Sequence, residues 1–384
     1  MNILILNNNR KDTTSLVYHY CKLGHNVFYP MPFAENILKW EGHCLWPMLL
    51  SWSAEDPSVT NFEYHQFSKL ENLPYGEDKF LFLEEWVDPI ADHDVKLKLI
   101  DFKKENTKID AYHITDAAAD DWETFSAYIN KYIPNAIKID SGFNHFSINR
   151  VESSENICEY LPASFEGIGK YYGKNSVKFY RHSHEIKVLG IDPEEFHTNK
   201  RLNNNFYSFN HNFSVRHPEE FKVFEIFKNW FSTKDITLHN FGGNKRGVGA
   251  DIEFSGDDGL TGNFVTLSPR SAAIKHLNSR ATIHFKGTDW AGGVEAYARF
   301  TFSPLIVLEE YSGGTNLNQF DRDDSSIFTC KDLLEGCFYI TKLLDNDFYL
   351  TCLEKNKKLE QKIFSEEYWN SWKSFLSVIE RELE

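Results

Sequence analysis

Residues Ile3-Leu4-Ile5-Leu6, the polar turn Asn7-Asn8-Asn9, a helical pattern from about Thr14 to Leu23 closed by Gly24, and a second run Asn26-Val27-Phe28-Tyr29-Pro30 decide the fold. A short continuous apolar run suits a strand covered on both faces, and a glycine just past a periodic segment is the usual helix stop. Strand, loop, helix, glycine stop and strand make a βαβ unit of a parallel sheet. Its crossover places the first loop at the C-terminal edge of that sheet, where ligands of such folds collect.

Working outward, strands are predicted at Phe80–Leu83, Ala111–Ile114, Ala136–Ile139 and Val177–Tyr180, with a helix over Asp121–Tyr132. From about Ile191 to Asn205 the chain turns polar, with Asp192-Pro193 and Asn203-Asn204-Asn205, and reads as a linker. The second half then repeats the same grammar. Strands are predicted near Phe206–Phe209, Ile236–His239, Phe264–Leu267, Ala281–Phe285 and Leu305–Leu308, and helices near Glu219–Phe231, Ser271–Leu277 and Val294–Phe300. A glycine-rich loop falls at Gly242-Gly243. At the end, Tyr368, Trp369, Trp372, Phe375, Leu376 and Ile379 recur at helical spacing within Ser365–Leu383, which predicts a helix with one aromatic face. The fold class is therefore α/β with two doubly wound domains. The expected division is 1–190, a linker 191–205, 206–364, and a helix 365–384 packing back on the first domain.

A chain of 384 residues exceeds what one hydrophobic core usually supports, in keeping with two domains. Apolar residues make up 41% and charged residues 25%, a globular composition. Net charge is 41 − 56 = −15, which gives no global footprint for nucleic acid. Six cysteines without a Cys-x-x-Cys pair, no signal-like start and no apolar run of about 20 residues lead us to expect a soluble, cytoplasmic protein with reduced thiols. Abundant Asn, Lys and Phe point to an AT-rich bacterial or viral genome.

The segment richest in chemistry is Thr288-Asp289-Trp290-Ala291-Gly292-Gly293-Val294-Glu295-Ala296-Tyr297-Ala298, between a predicted strand and helix. Two glycines ahead of a helix allow close approach of a ligand, and the first-turn N–H groups with the helix dipole favour a diphosphate. Glu295, in that first turn, is placed to accept hydrogen bonds from a ribose diol. Its structural alternative is a first-turn carboxylate that stabilises the helix.

Gly292-Gly293-Val294-Glu295-Ala296-Tyr297-Ala298, followed by a small-residue turn with Pro304 and an apolar strand, resembles the donor-site signature of retaining GT-B glycosyltransferases of the group 1, glycogen-synthase-like family. Gly190-Ile191-Asp192-Pro193-Glu194-Glu195-Phe196 is similar to that family's interdomain turn, with Leu189 where an asparagine is usual. Asp110-Ala111-Tyr112-His113 is similar to its strand end facing the sugar. The resemblance implies two Rossmann-like domains facing each other across a cleft, with a C-terminal helix crossing back to the first. It also implies a nucleotide-sugar co-substrate, UDP- or GDP-linked, without a bound cofactor or metal. Donor contacts are then implied for Glu295, Gly292, Gly293, Val294 and Trp290, with Arg216 and Lys245 (and Arg246 behind it) facing the diphosphate. His113 and Asp289 take the catalytic positions. Asn8, Asn9 and Asp116 lie on the acceptor side.

The departures from the family are specific. Gly287 stands where a sugar-contacting glutamate is usual, so Asp289 and Trp290 are the nearby substitutes, and Asn7-Asn8-Asn9 replaces a glycine pair. The function expected is transfer of a hexosyl or pentosyl group, with retention, to a glycan, a lipid-linked sugar or a modified DNA base of the phage type. For DNA, Lys170, Lys174, Lys178 and Arg181 would form the basic rim. A catalytically silent nucleotide-sugar-binding relative and a nucleotide-sugar epimerase are the rivals.

Weaker signals are the acidic triplets Asp321-Arg322-Asp323 and Asp345-Asn346-Asp347, and His182-Ser183-His184 with two imidazoles on one strand face. No P-loop, no Gly-x-Ser-x-Gly elbow and no dinucleotide glycine fingerprint after the first strand is present, which argues against an NTPase, an α/β-hydrolase and a dehydrogenase.

Overall fold

The computed structural model describes residues 1–6, 10–30, 97–115, 122–142, 154–161, 175–180, 184, 193, 202–209, 218–234, 236–241, 269–285, 298, 300–308 and 326–384. The predicted strands at 80–83 and 264–267 lie outside them. Two compact units emerge: Met1–Gly190 joined by Phe364–Glu384, and Ile191–Ile363.

The first unit is built on strands β1 (Asn2–Leu6), β2 (Asn26–Pro30), β3 (Leu97–Ile100), β4 (Ala111–Ile114), β5 (Ile137–Gly142), β6 (Asn156–Leu161) and β7 (Asn175–Tyr180). All their pairings are parallel, in the order β3-β2-β1-β4-β5-β6-β7. Helices α1 (Arg10–Lys22) and α2 (Trp122–Tyr132) follow β1 and β4. Ile3, Leu4, Ile5 and Leu6 are all buried, as a strand covered on both faces requires. Gly24 ends α1 in the left-handed region at φ 84, with Gly24 N–H donating to the Cys21 carbonyl and His25 N–H to that of Tyr20. At the same edge, the Asp110 carboxylate accepts the Asn2 N–H at 2.9 Å and pairs with Lys108, so Asp110 ties the N-terminal ends of β1 and β4.

The second unit contains β8 (Asn205–Phe209), β9 (Thr237–Phe241), β10 (Ala281–His284), β11 (Leu305–Leu308) and β12 (Ile327–Cys330), parallel in the order β12-β11-β10-β8-β9. Its helices are α3 (Pro218–Ser232), α4 (Pro269–Asn278), α5 (Leu333–Leu343) and α6 (Asn346–Ile363). Phe224, Phe227 and Phe231 of α3 fill the core beside Phe206, Ile283 and Phe285. α5 packs closely enough that a Cβ at Gly336 would come within 3.1 Å of the Phe227 ring.

The last helix, α7 (Glu366–Glu382), belongs to the first unit and packs on β7. Its buried face is Tyr368, Trp372, Phe375, Leu376 and Ile379. Against it sits His19 of α1, fully buried, donating from Nδ1 to the Ser15 carbonyl at 2.7 Å and accepting the Tyr368 hydroxyl at Nε2 at 2.8 Å. Burial holds this imidazole down at about 3. The unfolded chain takes up a proton near the ordinary value of about 6.5 that the folded chain refuses, so this contribution to stability is complete above that pH and is lost as pH falls. The expected slope is about 1.4 kcal/mol per pH unit over roughly pH 4 to 6. Urea melts of His19→Gln should show a curve flatter by one proton there, and parallel curves would refute the assignment.

β3, β6, β12, α5 and α6 are not predicted from the sequence. In β6 the polar Asn156 and Glu159 interrupt the apolar pattern, yet both are buried, and Asn156 accepts a 2.8 Å bond from Asn175 of the neighbouring strand.

Candidate functional site

In a parallel sheet every strand ends on the same edge, and where the strand order reverses the loops diverge and leave a crevice. The reversals lie between β1 and β4 in the first unit and between β8 and β10 in the second.

In the second unit, α4 packs on β8. His276 Nδ1 and the Thr282 hydroxyl are 2.9 Å apart, and the Phe209 ring at the end of β8 stacks on the His276 imidazole at 3.9 Å. Tyr207 meets His239 edge-on at 5.2 Å. In chain order, Arg216 falls in the interval between β8 and α3, Lys245 between β9 and α4, and Asp289, Trp290, Gly292, Gly293, Val294 and Glu295 between β10 and β11. All eight lie outside the described residues. Each interval begins at the C-terminal end of a strand at or beside the reversal.

The far end of the Gly-Gly-Val-Glu segment is described. Ala298 and Phe300 are helical, and Phe302 at φ 60 takes the left-handed stop position ordinarily given to glycine. Ser303 N–H donates to the Ala298 carbonyl at 2.8 Å, as does the Thr301 hydroxyl at 3.2 Å. The buried Asn356 amide of α6 donates to the Phe302 and Ser303 carbonyls, both at 3.2 Å, and accepts Ser326 N–H at 2.9 Å. This clasp sets where the turn ends and β11 begins.

In the first unit, Asn8, Asn9 and Asp116 lie outside the described residues. His113 is described. It is the penultimate residue of β4, fully buried, with Nδ1 2.7 Å from the Tyr20 hydroxyl and Nε2 2.8 Å from the Ser141 hydroxyl. A direct bond from this imidazole to a sugar would require one of those two partners to leave. On the other face Asp140 is fully buried, paired with Lys138 at 3.0 Å and accepting the Ser154 hydroxyl at 2.9 Å. Burial, with the Asp140 charge added, pushes the Tyr112 phenol up to about 12. Tyr20, Ser141 and Asp140 escape sequence reasoning; only the polar Asp140-Ser141 pair at the end of an apolar strand signals them.

No protein-family model matches the chain, and no curated protein matches it. Among solved structures the chain is similar to an S. aureus TarM variant in complex with fondaparinux, α-GlcNAc-glycerol and UDP, with 11% identity over 71% of this chain and a TM-score of 0.44. It is similar also to a second crystal structure of TarM, with 10% identity over 69% of this chain and a TM-score of 0.45. The chain spans 57% and 54% of those two chains.

The remaining sequence signals are described in part. The Asp345 carboxylate accepts Phe348 N–H at 2.8 Å and so caps α6, while Asp321 and Asp323 lie outside the described residues. His184 is buried and stacks on Tyr18 at 4.3 Å; His182 is outside. Of the basic rim, Lys178 is exposed on β7, and Lys170, Lys174 and Arg181 are outside. Among the described residues no group of three His, Cys, Asp or Glu side chains gathers to hold a metal, and no helix is long and apolar enough to cross a membrane.

Proposed function

We propose that the chain is a GT-B-type glycosyltransferase that takes a nucleotide-activated sugar, UDP- or GDP-linked, on its second unit and transfers the sugar with retention. One observation carries this: the segment with the donor-site resemblance, 288–298, leaves the strand that borders the order reversal of the second sheet. Glu295 holds the ribose diol, the N–H groups after Gly292-Gly293 receive the diphosphate, and Arg216 and Lys245 add positive charge. Substitution at the anomeric carbon breaks its bond to the diphosphate as the acceptor oxygen attacks. Fixed N–H groups and cations stabilise the departing diphosphate, and Asp289 stands near the oxocarbenium-like centre. The acceptor is a glycan, a lipid-linked sugar or a modified DNA base, and the reaction is cytoplasmic.

A thermal-shift screen with UDP, GDP, ADP, CMP and their sugars tests this. At about 100 times Kd, one nucleotide should raise the melting temperature of a unit of this size by about 5–10 °C, and Glu295→Ala should abolish the rise. No rise with any nucleotide would sink the donor site. Gly287, in place of the family's sugar-contacting carboxylate, favours a second reading, a silent nucleotide-sugar-binding protein. Binding without any turnover of the sugar would select it.

A further inference from the structure

The C-terminal edge of the first sheet holds a buried polar chain to which the proposed transfer assigns no task. Strand register sets His113 beside Ile5 and Ile139, with Ile3 and Ala111 further down, all buried and all apolar apart from the histidine. A hydrocarbon side chain would fill that place without needing matched donors and acceptors. A polar chain instead selects a single arrangement.

Placing the Ser141 hydrogen toward the Ile114 carbonyl, 3.5 Å away, leaves the Ser141 oxygen to accept Nε2–H of His113 at 2.8 Å. A neutral imidazole then presents Nδ1 as an acceptor, and the Tyr20 hydroxyl donates to it at 2.7 Å. Burial raises the Tyr20 phenol well above its ordinary value, so Tyr20 keeps the proton it donates. The series starts on α1, crosses β4 to β5, and returns to the last carbonyl of β4. Backbone pairing holds the same strand end, with Thr115 N–H donating to the Leu6 carbonyl at 3.4 Å and Ile114 in register with Asp140 of β5, and the side-chain series adds to it.

We propose that Tyr20 and Ser141 are positioning residues for sugar transfer, which hold His113 as the neutral Nε2–H tautomer and anchor the end of β4 that leads into Thr115 and Asp116. This rests on the transferase function proposed above. His113 acts through its placement, as the centre of the anchor.

Two measurements on the full chain test it. In ¹⁵N-histidine spectra at neutral pH, the signals lost in His113→Gln should show an unprotonated Nδ1 and a protonated Nε2; an Nδ1–H tautomer or an imidazolium overturns the assignment. Release of UDP from UDP-glucose or of GDP from GDP-mannose should fall about tenfold in kcat in Tyr20→Phe and Ser141→Ala, with donor KM within about threefold, and Ser141→Thr should restore most of it. Turnover by wild type with unchanged kcat in Tyr20→Phe and Ser141→Ala overturns this assignment alone. A wild type that neither binds nor turns over a nucleotide sugar overturns the transferase function and the assignment together.

Discussion

Trp372→Ala is expected to destabilise the first unit by about 3–5 kcal/mol, the range for deleting a large buried aromatic. Trp372 is fully buried, with ring centroids 4.8 Å from His19, 5.9 Å from Tyr20 and 6.1 Å from Phe179. Its indole N–H donates to the Lys178 carbonyl at 3.0 Å, on the outermost strand of the described sheet. Truncation therefore opens a cavity and strips a partner from an edge-strand carbonyl. Tyr20 also loses the ring that holds its phenol toward His113, so the fold and the polar chain are disturbed together. Urea denaturation should show the loss, and limited proteolysis should cut α7 early. A change below about 1 kcal/mol would mean that α7 is not part of this unit's cooperative core.

Arg280→Met should lower the stability of the second unit by about 3 kcal/mol, or about 6–12 °C in melting temperature. The buried guanidinium donates through Nε to the Leu343 carbonyl at 2.5 Å, and through Nη2 to the Leu344 carbonyl at 2.9 Å and Asn346 Oδ1 at 2.8 Å. It also lies 4.3 Å over the Tyr349 ring. These bonds satisfy carbonyls at the end of α5 and tie them to the start of α6. Methionine keeps much of the volume and removes every bond. Lysine should recover only part of the loss, because one ammonium cannot reproduce the planar fork. Arg280 directly precedes β10, and its backbone N–H, which methionine keeps, donates to the Asn205 carbonyl at 2.7 Å, so the expected loss comes from the guanidinium alone. Equal melting temperatures for wild type and Arg280→Met would refute this role.

Elements whose residues carry their own instruction were legible in the sequence. Ile3–Leu6 of β1 and the whole of β11 are continuous apolar runs, β4 and β8 are mainly apolar and aromatic, and α7 repeats its aromatic residues at helical spacing. β6 and α6 were not, because their buried polar residues look like surface until a partner is known. Asn356 reads as a solvated helix residue, yet it clasps Phe302, Ser303 and Ser326. Phe302 gives no hint of a left-handed backbone, since that position usually calls for glycine. The triplet Asp345-Asn346-Asp347, a weak signal in the sequence, holds a helix cap at Asp345.

The amino-acid sequence by itself determines the α/β class and the parallel-sheet grammar of both halves, because periodicity and glycine stops act over a few neighbouring residues. It also marks His113 as a residue at a strand end. Only the tertiary structure decides what that histidine does. Its partners are Tyr20, 93 residues away, and Ser141, 28 residues away. A buried imidazole must satisfy both nitrogens, and which hydroxyls are within reach depends on strand order and register, which no local pattern encodes.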